Sequence, residues 1–283
     1  MGMYNKHLTL VPIGGLANRF YAVTSALSFC LDNQIALKVI WFKDKGMGAG
    51  FYDLFNLDPS LRQDVAVVDA KWSDYIFDRP RKRNFWLPYI SQRILFDKCY
   101  YEKDFYEKRF SAKQLREDFL CKDSIYLVHF NPFYSYKGMI KYISPISELQ
   151  KKIDERRAQF NGHKVIGLHI RRGDHTTPTL GSPLNLFVQK MDQELKKDPD
   201  VLFYVASDSY EEKERLLSRF GSKVIACMDE VRRDNKEGIE DAVVELFTLA
   251  STYKIYGSLA STYSTLASDL LGNDLEILSL NKR

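Results

Sequence analysis

Several short stretches of this sequence set polar residues directly behind apolar runs, with side chains suited to hold anions and move protons. The densest is His169-Ile170-Arg171-Arg172-Gly173-Asp174-His175, which follows Val165 to Leu168. A guanidinium is charged at every physiological pH and offers a fork of donors that matches two phosphate oxygens. Each such charge-assisted bond is worth about 1.5 to 3 kcal/mol. In an extended strand His169 and Arg171 share one face and Arg172 takes the other, which aims Arg171 at any crevice at the strand end. A competing assignment pairs both arginines with nearby carboxylates such as Asp174.

The run Val201 to Ala206 ends in Ser207-Asp208-Ser209. A carboxylate there accepts two bonds from N1 and the exocyclic amino group of guanine, or binds a ribose hydroxyl pair; it equally caps the helix that follows. Glu240 and Asp241 open a helix whose apolar stripe is Ile239, Ala242, Val243, Leu246 and Ala250, so Asp241 points off the buried face. Further on, Gly257-Ser258-Leu259-Ala260-Ser261-Thr262-Tyr263-Ser264 is a small, hydroxyl-rich turn into another helix. Small side chains admit a phosphate to the backbone there, and the unsatisfied N–H groups of a helix start donate to it. Near the start, Gly14-Gly15-Leu16-Ala17-Asn18-Arg19 repeats the strand, glycine, helix logic but contains neither G-x-G-x-x-G nor G-K-[ST]. Asn18 and Arg19 are expected to project from that helix start toward a ligand.

The elements that must position these residues alternate. Strand His7–Ile13, helix Phe20–Leu31 and strand Ile35–Phe42 read as a β-α-β crossover. From Lys71 to Tyr142 the alternation is lost in favour of aromatics and bases, including the run Arg79-Pro80-Arg81-Lys82-Arg83, with one strand at Ile125–Phe130. Ser144-Pro145 reads as a cap and first helical proline opening a helix to Arg157, and Gln159–Lys164 as a linker. Beyond it five apolar strands alternate with helices, as a parallel sheet covered on both faces requires. The expected architecture is α/β, with two halves, 1–160 and 161–283, facing each other across a cleft and ligands at the carboxyl ends of the strands.

Composition narrows the function class. The 283 residues are 45% hydrophobic and 28% charged, as in a globular protein, and 41 Lys and Arg against 37 Asp and Glu leave a formal charge of only +4. That balance favours no nucleic-acid partner; the run at Arg79–Arg83 is the one feature that would suit one. No apolar run reaches the ~18 residues of a membrane span, and Met1–His7 lacks the features of a secretory signal, which implies a cytoplasmic protein. Cys30, Cys99, Cys121 and Cys227 have no metal-ligand spacing. The one Asp-x-Asp triplet, Asp198-Pro199-Asp200, precedes a strand instead of following one, so no metal site is expected.

The ordered set Gly-Gly-Leu-Ala-Asn-Arg, His-Ile-Arg-Arg-Gly-Asp, Val-Ala-Ser-Asp and Glu-Asp followed by Gly-Ser-Leu-Ala-Ser-Thr-Tyr-Ser resembles the fucosyltransferase superfamily, over most of the chain apart from Lys71–Tyr142. The resemblance implies a GT-B-like fold of two Rossmann-like halves and an inverting, metal-independent transfer from GDP-fucose, with no cofactor. The acceptor would be a glycan, free or lipid-linked at the inner face of a membrane. It places Arg171 on the donor pyrophosphate with Arg172 beside it, His169 and Asp208 on the guanine side, and Ser258, Ser261 and Thr262 on the phosphates. Asp241, an acidic residue, and Asn18, the polar residue of the N-terminal glycine loop, complete the donor-binding set. Some members carry a Glu base shortly after the arginine motif, where this chain reads His175-Thr176-Thr177-Pro178-Thr179. Asp174 is the base assigned here, with His175 and Asp53 as alternatives. Two other readings stay open: a nucleotide-sugar binding protein without turnover, and a transferase using a different GDP-sugar.

Overall fold

The computed structural model describes residues 5–61, 63–77, 86–173, 180–229 and 232–280, with side chains at 75–77 and 86–89 left aside. Asp174, His175 and the run Arg79–Arg83 lie outside the described residues. The chain forms two compact units, Met1–Ile146 with Arg233–Ile239, and Ser147–Arg232 with Glu240–Arg283.

The first unit contains strands β1 (His7–Pro12), β2 (Ala36–Trp41), β3 (Phe55–Leu57), β4 (Val65–Asp69), β5 (Lys98–Tyr100), β6 (Ser124–His129) and β7 (Ile143–Pro145). Five of them make a parallel sheet in the order β4-β2-β1-β6-β5. The helix Leu16–Asp32 crosses from β1 to β2 and is buried almost all round, as its near-continuous apolar sequence demands. Its polar residues are satisfied internally: Ser25 Oγ accepts the N–H groups of Phe133 and Tyr134 at 2.9 and 2.7 Å, which ties the loop after β6 to the helix. Ser144-Pro145 does not open a helix. It lies in β7, which pairs antiparallel with β3 (Phe55 opposite Pro145), and the next helix is Ser147–Ala158. That helix belongs to the second unit, so the units divide at Ile146/Ser147 and not at the polar stretch Gln159–Lys164.

At the end of β6 the His129 ring is enclosed by Phe105, Phe110 and Phe133, with centroids 5.0 to 5.3 Å away. Burial pushes its pKa down to about 4, against a pull upward from the Asn131 carbonyl 2.8 Å from Nδ1. The folded chain therefore keeps His129 neutral where the unfolded chain, titrating near 6.5, takes up a proton. Its contribution to stability is present above the unfolded value and is lost as pH falls from about 6.5 toward 4. The urea midpoint of the wild type, measured relative to His129→Phe so that all other groups cancel, should fall over that window. A pH-independent difference would refute this.

The second unit contains β8 (Val165–Ile170), β9 (Leu202–Ser207), β10 (Val224–Ala226), β11 (Lys254–Ser258) and β12 (Asp274–Leu278), all parallel, in the order β10-β9-β8-β11-β12. The chain winds outward from β8 to β10, then returns to the other side of β8 as β11. Strand order thus reverses between β8 and β11, and the crossovers on either side leave a crevice at their carboxyl ends. Two glycines let helices approach this sheet. A Cβ on Gly167 would lie 2.5 Å from Leu249 Cδ1, and one on Gly257 2.7 Å from Ser264 Oγ. The second close approach draws the helix Thr262–Leu271 down onto the end of β11.

Candidate functional site

The reversal point joins the two stretches that the sequence marks as anion-handling. Gly257 of β11 stands opposite His169 of β8, so the arginine doublet and the Ser258–Thr262 turn leave the sheet side by side. A hydroxyl straps them together: Ser258 Oγ accepts the Arg171 N–H at 3.0 Å and donates to the His169 carbonyl at 3.2 Å. Ser258 is fully buried by this work, so its role is to hold the two strand ends. The turn continues through Ala260, whose φ of +54° is left-handed, to Ser261, the residue that precedes the helix Thr262–Leu271.

On the other side of β8, Ile170 is registered with Ser207 of β9. Ser209, not Asp208, caps the helix Tyr210–Phe220, accepting the Glu212 N–H on its Oγ at 3.3 Å. Asp208 instead serves the arginines. Its Oδ2 accepts from Arg171 Nη1 in an ion pair, and its Oδ1 accepts the Arg172 N–H at 2.7 Å. The Arg171 and Asp208 side chains are only 14% and 11% exposed, so the pair is weakly screened. Gly173 is required beside it: its φ is +28°, and a Cβ there would meet Asp208 Oδ2 at 2.6 Å.

Arg172 takes the opposite direction, as strand alternation requires. Its Nε donates to Glu212 Oε1 at 2.6 Å and its Nη1 to the carbonyls of Arg171 and Ser182 at 2.9 and 3.1 Å, which braces the loop against the helix Tyr210–Phe220. The His169 ring is buried, stacked on Tyr263 with centroids 4.8 Å apart, and its Nδ1 lies 3.3 Å from Ser261 Oγ. Burial, and secondarily the Arg171 charge, push its pKa down to about 3, so the ring is neutral. The Tyr263 hydroxyl donates to the Ala242 carbonyl at 2.7 Å, tying this corner to the helix Lys236–Ala250.

That helix carries Asp241, which is 44% exposed and pairs with Arg156 at 3.5 Å. One turn later stands Glu245, which the sequence reading passed over. Its carboxylate is 3.7 Å from Lys213 Nζ. Burial pushes its pKa up to about 7 against the pull of Lys213 and Arg156, and Asp208 adds to the rise; the Ser207 backbone N–H bonds to the carboxylate and opposes it. The available signal was a lone acid within the apolar run Ala242-Val243-Val244-Glu245-Leu246-Phe247.

In the first unit, Asn18 lies in the first turn of the helix Leu16–Asp32, packed under the Gly14 turn, where a Cβ on Gly14 would be 3.0 Å from its Cβ. Arg19 does not project toward a ligand. It is fully buried, donating to the Gly14 and Phe42 carbonyls at 2.9 and 2.5 Å, pairing with Asp44 at 2.8 Å and lying over Trp41. A guanidinium so enclosed satisfies its donors by locking the turn between β1 and the loop after β2. Asp53 is likewise engaged, accepting from Gly50 N at 2.8 Å and pairing with Lys236 at 3.1 Å and Lys43 at 3.4 Å. Burial works to raise its pKa, but the Gly50 N–H and the two lysines outweigh it and hold the carboxyl below its usual range. A group held that acidic is a poor proton acceptor near neutral pH. Asp198-Pro199-Asp200 is a turn, with the Asp200 N–H on Asp198 Oδ1 at 3.1 Å.

This architecture recurs in solved structures. Neither a protein-family model nor a curated protein sequence matches the chain. By structure, it is similar to the α-1,6-fucosyltransferase NodZ, known from Bradyrhizobium, in crystals soaked with GDP-fucose: 16% identity and a TM-score of 0.64 over 94% of this chain and 92% of that one. POFUT1 in complex with GDP follows, at 13% identity and a TM-score of 0.59 over 97% and 99% of the two chains. A variant of Arabidopsis thaliana FUT1 in complex with GDP has 14% identity and a TM-score of 0.61 over 98% of this chain and 71% of that one. At these identities the likeness is one of fold. The chain has the GT-B-like α/β fold of these structures, built as two Rossmann-like units.

Proposed function

We propose that this chain is a glycosyltransferase that moves fucose from GDP-fucose to a hydroxyl of a glycan acceptor, with inversion and without a metal ion. The observation that carries the reading is the 3.0 Å bond from Arg171 N to Ser258 Oγ, which joins the guanidinium-bearing loop to the hydroxyl-rich helix start at the reversal point of the second sheet. That the similar structures hold GDP or GDP-fucose supports the choice of donor.

Breaking the sugar–phosphate bond sends its electron pair to the diphosphate. A fixed cation and an oriented helix start stabilise that charge without reorganising as it develops. In this reading Arg171 faces the pyrophosphate, with the hydroxyls of Ser261 and Thr262 and the N-terminus of the helix Thr262–Leu271 opposite. Asp208 is a positioning residue that sets the angle of the Arg171 fork, and Arg172 holds the loop in place. Neutral His169 supports Ser261. With both Asp208 oxygens committed to the arginines, recognition of the guanine edge passes to Glu245, one turn beyond Asp241 on the same helix. The acceptor hydroxyl attacks the anomeric carbon from the face opposite the diphosphate and loses its proton to Asp174.

Incubation with GDP-fucose in excess EDTA and a panel of glycans should release GDP and form a fucosylated product of opposite anomeric configuration. Glu245→Gln should weaken GDP binding in a thermal-shift titration, with UDP, CDP and dTDP as controls. Saturable GDP binding with neither product nor donor hydrolysis would favour a binding protein without turnover.

A further inference from the structure

We propose that Lys213 is a positioning residue for nucleobase recognition: its buried ammonium holds the Glu245 carboxylate charged, so that affinity for the donor nucleotide is governed by an ion pair out of the ligand's reach. The inference rests on Glu245 being the guanine contact of the proposed donor site.

Lys213 lies on the helix Tyr210–Phe220 and is buried together with Leu216, three residues further on. A cation on an apolar stripe is costly unless it is paired and hydrogen-bonded. Its Nζ donates to the carbonyl of Cys227, the residue after β10, at 2.8 Å and stands 3.7 Å from Glu245 Oε1. The strand end thus fixes the ammonium, and the ammonium faces the carboxylate. Exposure separates the two roles: the Lys213 side chain is 2% exposed and that of Glu245 15%, so a ligand can reach the acid and not the base.

The other groups around Glu245 do not replace this cation. Arg156, on the helix Ser147–Ala158, also favours the ionised form, but it is shared with Asp241 at 3.5 Å and Cys227 Sγ at 3.4 Å. Asp208 after β9 disfavours the charge, and the Ser207 N–H supports it. Burial keeps the hydroxyls of Tyr204 on β9 and Tyr263 on the helix Thr262–Leu271 protonated well above neutral pH, so neither titrates along with Glu245. Burial carries the Glu245 pKa up to about 7 even against the pull of Lys213, so removing that pull leaves a neutral carboxyl at neutral pH.

The chemistry of guanine makes the charge matter. N1 and the exocyclic amino group are both donors, and only an ionised carboxylate offers them two acceptors; a protonated carboxyl turns a donor of its own toward one of them.

GDP affinity of the full chain is measured by calorimetry from about pH 6 to pH 9, each value divided by that of Glu245→Gln so that ionisation of the diphosphate and of other groups cancels. The wild-type ratio should rise about tenfold between pH 6 and pH 8, as a carboxyl titrating near 7 requires. In Lys213→Met, which nearly keeps the length and removes the charge, the rise should move up by at least about one pH unit, so that affinity at pH 7 falls about fivefold and recovers by pH 9. Lys213→Gln, which supplies an N–H without the charge, should show the same displacement and carries the test should the methionine variant not fold. A wild-type ratio flat across the range, a profile unmoved in these variants, or a loss that pH 9 does not restore would overturn the proposal and leave Glu245 as the guanine contact. Equal GDP affinity in wild type and Glu245→Gln at every pH would instead remove that contact, and the proposal with it.

Discussion

Replacing Arg171 by lysine should lower turnover of GDP-fucose by about a hundredfold or more while the chain stays folded, the loss expected when one fixed donor to a developing charge is removed. Lysine keeps the positive charge near Asp208, whose side chain is only 11% exposed, so the fold is spared an unpaired buried carboxylate. What it cannot reproduce is the planar fork that, under the proposed function, would hold the Asp208 carboxylate and a diphosphate at once. Arg171→Ala is the less informative variant. It abolishes turnover too, but stranding Asp208 adds a stability cost of about 3 to 5 kcal/mol. The measurement is kcat with saturating donor, alongside a urea midpoint. Turnover within a few-fold of wild type in the folded lysine variant would remove Arg171 from the reaction and with it the proposed function.

Asp208→Asn should act through Arg171. The asparagine oxygen can still accept the Arg172 N–H, now 2.7 Å from Oδ1, so the loop keeps its backbone tether. Its amide group, however, confronts Arg171 Nη1 donor to donor, and the guanidinium must turn away. A displacement of about 1 Å at a reacting centre can cost on the order of a hundredfold in rate, and kcat should fall by that order with little change in the urea midpoint. The distinguishing signature is non-additivity: Arg171→Lys/Asp208→Asn should be no slower than Arg171→Lys alone, since both substitutions disable one interaction. Losses that multiply in the double variant would show that Asp208 contacts the donor on its own account. Gly173→Ala approaches the same pair from outside, because its Cβ would collide with Asp208 Oδ2 at a positive φ.

Much of this candidate site is legible in the sequence. The β8, β9 and β11 units declared themselves because each apolar strand, buried on both faces, gives way to helical spacing at a polar corner, a change of period readable within ten or so residues. Those corners carry Arg171, Asp208 and Ser258–Thr262, and the structure gathers all of them at neighbouring strand ends in one sheet. Other features had no local signal. Ser144-Pro145 has the composition of a helix start, and only pairing with Phe55 and Asn56, far away in sequence, makes it a strand. Arg19 resembles any polar residue at a helix opening until the loop after β2 supplies Asp44 and the Phe42 carbonyl.

The sequence by itself determined which segments are strands and helices around the site, since backbone propensity and burial period are properties of neighbouring residues. It also determined which side chains leave the strand ends. The tertiary structure alone decided what those side chains meet: that Ser209 takes the cap and frees Asp208 for the arginines, that Arg172 turns to Glu212, and that Glu245 sits beside Lys213. Each of these depends on the order of strands within a sheet, and that order is set by contacts between residues distant in the chain, where local patterning has no reach.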